Sequence, residues 1–287
     1  MVKVIVNNSK GLVQYTGQGT FTAQGVGLDV SAGTAGTSVL TRQIVGRENG
    51  ATAPNPYAES ATKLFPLGTK LSVGDKTFRY ARAANATIAV GEVVQAAAPV
   101  ANNNDRDVNL IGGLEPLATA TELSVTLGGA PALNAFEDGY VVAVDGTGQG
   151  QMLGIASNIA NATCILQLLN PIRVQMEATV TKVSVFVNQY ADVVKSAAAP
   201  TSGILGVAPI AVTAEYYFWL QTSGPASVLQ GGANQPAAGF VAVASDGTAG
   251  AAEILDIATI AESLAIGHCL SSTTTSGDHC VVMLNLE

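Results

Sequence analysis

Charge is scarce in this chain. Lys, Arg, Asp and Glu supply 12% of its 287 residues, against about a quarter in an average soluble protein. A folded monomer of 29.0 kDa exposes roughly 11,000 Å² by surface scaling. Its 13 basic and 21 acidic side chains would then leave one charge per roughly 330 Å². So neutral a surface implies that partner subunits cover much of it. Long apolar runs are also missing, although the hydrophobic fraction is 48%. Gly, Asp, Asn, Gln or Pro interrupts each run within about ten residues, well short of the ~20 that a membrane-spanning helix requires. Aromatics are 5% of the chain and scattered, which excludes the aromatic girdles of an outer-membrane barrel. A net charge of -8 opposes the counterion release that drives nucleic-acid binding, so neither nucleic acid nor membrane is an expected partner. The three cysteines, Cys164, Cys269 and Cys280, form no CxxC and read as small buried apolar residues of a reducing compartment. The opening Met1 to Asn8 has one lysine and no cleavage signature, so we expect no secretory signal, and folding in a cytoplasm. For that reason the sequons at Asn7, Asn85 and Asn161 carry no weight.

What the chain does contain is β signal. Leu71 and Val73 alternate before Gly74-Asp75, and Phe78 and Tyr80 alternate after it, which predicts a strand, a tight turn and a strand. A second hairpin is expected where Tyr140 to Val144 stops at Asp145-Gly146 and resumes at Met152 to Ile155. Further strands are expected over Glu122 to Leu127 and Cys164 to Leu169, the latter ended by Asn170-Pro171. Residues 11 to 40, with glycines among Thr, Val and Ala, suit short strands, turns or an extended arm that orders on assembly. The one helix candidate is Ala251 to Leu264, whose Ile254, Ile257, Ala258, Ala261 and Leu264 approximate a helical stripe ending near Gly267.

The expected class is all-β: mainly antiparallel units of sandwich, jelly-roll or barrel-like form, with at most one or two short helices. We expect a glycine-rich arm over 1–50, a β domain over 51–172 and a second over 173–287. The second domain echoes the first: Tyr217 to Leu220 stands where Phe78 to Tyr80 stood, Phe240 to Thr248 follows Tyr140 to Thr147, and Cys280 to Asn285 follows Cys164 to Asn170. The spacing is unequal, and an insertion near 99–131 would absorb the difference. Two readings stay open, a duplicated β unit and the reuse of similar turns by all-β chains.

Several short motifs suggest chemistry, and each has a plainer explanation. Gly146-Thr147-Gly148-Gln149-Gly150 is GxGxG rather than GxGxxG and reads as a hairpin turn. Asp145-Gly146-Thr147 and Asp246-Gly247-Thr248 reverse the order that a duplicated aspartyl protease would need. Ser60-Ala61-Thr62-Lys63 matches SxxK, in which lysine activates serine, but the companion motifs are missing. His268-Cys269 and His279-Cys280 offer four zinc-type ligands. Neighbours on a strand point to opposite faces, however, so each pair can aim only one at a shared metal. No catalytic, cofactor-binding or metal-ligating residue is therefore assigned, and no enzymatic activity is expected.

Four stretches carry a family resemblance. The segment Phe65 to Ala83, with Val90-Gly91-Glu92-Val93-Val94-Gln95, is similar to one in structural proteins of tailed bacteriophages, particularly those of aquatic hosts. Residues 136–170, 180–190 and Gly206 to Gln230 resemble the same family, so about half the chain is covered. The resemblance implies a virion component made in the host cytoplasm, with no catalytic residues. We read it as a capsid decoration, or cement, protein bound to the major capsid protein on the outer shell, and expect a homotrimer, because the low charge calls for a closed oligomer and three-fold positions are where icosahedral shells accept such a piece. A tail, fibre or adsorption component is the alternative, and a hydrolase of unrecognised type a third reading. The region 11–40 lies outside the resemblance and is expected to clasp neighbouring subunits.

Overall fold

The computed structural model describes residues 54–98, 104–112, 116–198, 200–231, 234–256 and 264–287, and the backbone of four short strands before them. Among the described residues there is no helix, and every strand ladder is antiparallel, so the protein is all-β. Two compact units are formed, Met1–Arg42 and Gln43–Glu287. The first holds two hairpins. One pairs β1 (Lys3–Asn7) with β2 (Gly11–Tyr15), and the other pairs β3 (Phe21–Ala23) with β4 (Val26–Leu28).

The second unit begins with β5 (Lys70–Val73), β6 (Lys76–Arg82) and β7 (Val93–Gln95). Six strands follow that form a sheet of their own. They are β8 (Asn104–Asn109), β9 (Glu122–Thr126), β10 (Tyr140–Asp145), β11 (Met152–Asn158), β12 (Thr163–Leu168) and β13 (Lys182–Phe186), in the spatial order β8-β13-β10-β11-β12-β9. A bridge between Leu110 and Val125 brings the two edges of this sheet together, so it curls into a shell. The inward positions of its alternating strands, among them Val141, Ala143, Leu153, Ile155, Val183 and Val185, meet Phe136, Ile172 and Met176 in one core.

The chain then returns to the first sheet with β14 (Val194–Lys195), β15 (Ile204–Val207), β16 (Tyr217–Leu229), β17 (Val241–Ala244), β18 (Ala252–Ile254), β19 (Ala265–Ser271) and β20 (His279–Asn285). This larger sheet runs β14-β7-β15-β16-β20-β19-β17-β18, with β6 also on β16 and β5 on β6. A bridge from Gln230 to Ala252 folds its far end back. β7 and β14 lie side by side, Val194 opposite Gln95, so the six-stranded shell is inserted between two paired strands.

That arrangement corrects the expected division at 172/173. β13, placed by sequence in the second domain, pairs with β8 and β10, while β5 to β7, placed in the first, share a sheet with β14 to β16. Asn170-Pro171 ends a strand but not a domain. The helix expected over Ala251 to Leu264 is also corrected at its start: Ala252–Ile254 is a strand paired with β17, and 257–263 lie outside the described residues. Pairing with a neighbour outweighs the weak helical stripe. The echoed segments differ in their settings. Tyr80 and Trp219 are direct partners in one sheet, whereas β10 lies between β13 and β11 in the shell and β17 between β19 and β18 in the larger sheet. Phe218 to Leu220 is covered on both faces: Phe218 and Leu220 join one core, and Trp219 packs with Phe78 and Tyr80 in another.

The expected hairpin at 71–82 forms, with Gly74 at φ +64°. Its turn rests on Gly224 of β16, where an added Cβ would stand 2.3 Å from the carbonyl oxygen of Asp75 and φ is +86°. Gly224→Ala should therefore lower stability by about 2 kcal/mol or more. Gly74→Ala, with open space around it, should cost about 1 kcal/mol. Urea unfolding followed by the fluorescence of Trp219, the sole tryptophan, measures both.

Candidate functional site

Each motif noted in the sequence serves its local structure. The hydroxyl of Ser60 bonds with Thr62, accepting its N–H at 3.1 Å. Lys63 turns to Glu137 and Asp138, at 2.8 and 2.7 Å. Burial pushes the Lys63 ammonium down, but the bonds from Asp138 and Glu137 outweigh it and hold the group above its usual value. It stays charged, the wrong state for activating a serine. Cys269 and Cys280 are buried while His268 and His279 are exposed, and His279 Nε2 lies 3.2 Å from the carbonyl oxygen of Val90. All three cysteines are free. Burial pushes the thiol of Cys164 up to about 11 and that of Cys280 up to about 12, so neither is a thiolate at neutral pH.

The two Asp-Gly-Thr turns belong to different sheets, and both are held by ordinary structural bonds. Asp145 accepts the N–H of Gly146 at 2.8 Å. In the other turn the buried Glu253 accepts the Ser245 hydroxyl and the Asp246 N–H, both at 3.0 Å, and burial raises its carboxyl above the usual range. The glycine run 146–150 forms the β10–β11 turn.

The joint between the two sheets is polar and specific. Asn188, 3% exposed, donates to the carbonyl oxygens of Leu67 at 3.2 Å and Asp138 at 2.9 Å, and accepts the N–H of Tyr190 at 2.9 Å. Asp138 accepts the N–H of Leu67 at 2.7 Å and pairs with Lys63. Beside this joint opens a cleft of about 660 Å³, whose walls include Tyr140, Met152 and Phe186 from the shell and Arg79, Tyr190 and Ser202 from the other sheet. Arg79 is held there by Glu287 (Nε to Oε1, 2.7 Å) and by the carbonyl oxygen of Gly68 at 2.9 Å. Lys70 and the hydroxyl of Thr222 complete the ring around Glu287, at 2.7 and 2.8 Å.

A second surface is notable for what it presents. β17, β19 and β20 contain no Asp, Glu, Lys or Arg. Their outward row sets Val241 opposite His268 and His268 opposite Met283, with Leu270 and Val281 alongside. Phe240, Leu270, Val241 and Val281 are 60, 44, 42 and 39% exposed. The low charge content announced such a face but not its place. The cleft had no local signal, because its walls come from segments far apart in the chain.

Comparison with protein-family models, with curated proteins and with solved structures finds no match to this chain.

Burial alone would raise the carboxyl of Glu287, but Arg79, Lys70 and Thr222 reverse that and bring it to about 2, from an ordinary 4.5. A carboxyl depressed by folding adds stability above its unfolded pKa and loses it as pH falls toward the folded value. Glu287→Gln should thus lower the melting temperature at neutral pH. Its gap from the parent protein should close between about 4.5 and about 2, as followed by thermal unfolding across pH.

Proposed function

We propose that the chain is a bacteriophage capsid decoration protein, bound to the major capsid protein on the outer face of the shell. It stabilises the particle by burying neutral, apolar surface between neighbouring capsomers. The observation that carries this reading is the uncharged outer face of β17, β19 and β20, with Phe240, Val241, Leu270 and Val281 standing in solvent. Apolar area removed from water gives roughly 25 cal/mol per Å², and a face without charges loses no ion solvation when it is covered. The resemblance to tailed-phage structural proteins read from residues 65–95, 136–170, 180–190 and 206–230 in the sequence alone points the same way.

A protein that binds through such a face must avoid open-ended self-association, which closed cyclic oligomers achieve. We therefore propose a homotrimer, suited to the three-fold positions of an icosahedral lattice. Light scattering at assembly concentration should give three times 29.0 kDa, and a monomeric mass would count against it.

The decisive measurement is the number of copies per major capsid protein in purified particles. Decoration requires a ratio near the shell protein's own abundance. A far lower ratio moves the chain to the neck or tail, and absence from particles removes the virion reading. Leu270→Glu and Val281→Lys, both at exposed positions, should reduce occupancy on particles at least about tenfold, because each buries an unpaired charge on binding, while leaving the melting temperature nearly unchanged.

A further inference from the structure

The floor of the inter-sheet cleft is made of side chains that none of the hydrophobic cores uses. Tyr140 and Phe186 are cross-strand partners on the outer face of the shell. On the other side Tyr140 faces Gly154, over which the side chain of Leu169 lies, and Met152 stands opposite the neighbouring Val142. Tyr140 and Met152 are 41 and 54% exposed. The result is a hydrocarbon-rich floor open to solvent.

The opposite wall is polar and fixed. The ring of Tyr190 lies against Gly68, where an added Cβ would sit 3.2 Å from it, and the guanidinium of Arg79 is clamped by Glu287 and the Gly68 carbonyl. Arg79 is the one charged residue among the described lining, and its charge is answered by Glu287. Gln189 stands exposed at the rim.

This combination selects a ligand class. An anion would have to compete with Glu287 for Arg79. A wholly apolar ligand would cover the remaining guanidinium and amide N–H groups without giving them partners, a cost of about 1–3 kcal/mol for each. A ring with an apolar C–H face and hydroxyls on its edge matches both walls. We propose that the cleft is a binding site for a neutral sugar, the pyranose lying on Tyr140 and Phe186 with hydroxyls toward Arg79 and Gln189. A volume of about 660 Å³ falls within the usual range of small-molecule sites. The inference does not rest on the capsid reading.

The test is saturation-transfer NMR on the full chain with the methyl glycosides of glucose, galactose, mannose and N-acetylglucosamine, and with methyl glucuronide as the anionic comparison. The expected result is transfer to the ring C–H protons of at least one neutral glycoside. Affinity should fall at least about tenfold in Tyr140→Ala and measurably in Gln189→Ala, and should be unchanged in Phe240→Ala, on the separate apolar face. Silence from all four neutral glycosides overturns the proposal, as does transfer confined to the glucuronide. So does binding that survives both cleft substitutions in proteins with the parent melting temperature. If an apolar dye binds in a Tyr140-dependent way while no glycoside does, the cleft is a hydrophobic docking groove and the sugar assignment is wrong.

Discussion

The second unit hangs on one strand. β16 pairs with β6 along its first half and with β20 along its second, and β15 bonds to it as well. Its first half is covered on both faces, by the core around Phe218 and Leu220 and by the aromatic group around Trp219, Tyr80 and Phe65. A strand buried on both sides reads as a continuous apolar run rather than an alternation, and Tyr-Phe-Trp-Leu is that run. Gly224 marks the point where one partner gives way to the next, because only a residue without a side chain lets the β5–β6 turn come so close.

The shell depends on this frame through the polar joint. Asp138 and Asn188 flank β10 and β13, and between them they satisfy both backbone groups of Leu67 and tie down Lys63. Buried polar groups of this kind are costly unless every partner is present. The joint therefore fixes one arrangement of the sheets where apolar packing would tolerate several. The cleft follows directly: its floor belongs to one sheet, its wall to the other, and the joint sets the gap.

Local features were legible in the sequence, and long-range ones were not. Both hairpins could be read because alternation and the Gly-Asp and Asp-Gly turns act within a dozen residues, and β9 and β12 appear where expected. The insertion could not, since nothing near Lys182 to Phe186 announces that this strand returns to β8 and β10. The stripe Ile254, Ile257, Ala258 resembled a helix because small apolar residues fit either period when the partner strand is unknown. Of the cleft, Arg79, Tyr140 and Met152 lay in segments read as strands, but nothing near them in the sequence brings those strands to one opening. The uncharged face was foreshadowed by composition, which records how little charge there is but not which strands go without it.

The adjacency of β7 and β14 has a mechanical meaning. A chain that leaves a sheet and re-enters it on the neighbouring strand transmits tension across that pair, not through what lies between. A pull along the backbone meets the ladder Val194–Gln95 and Lys195–Val94 first. While that ladder holds, tension along the chain does not pass through the backbone of the shell.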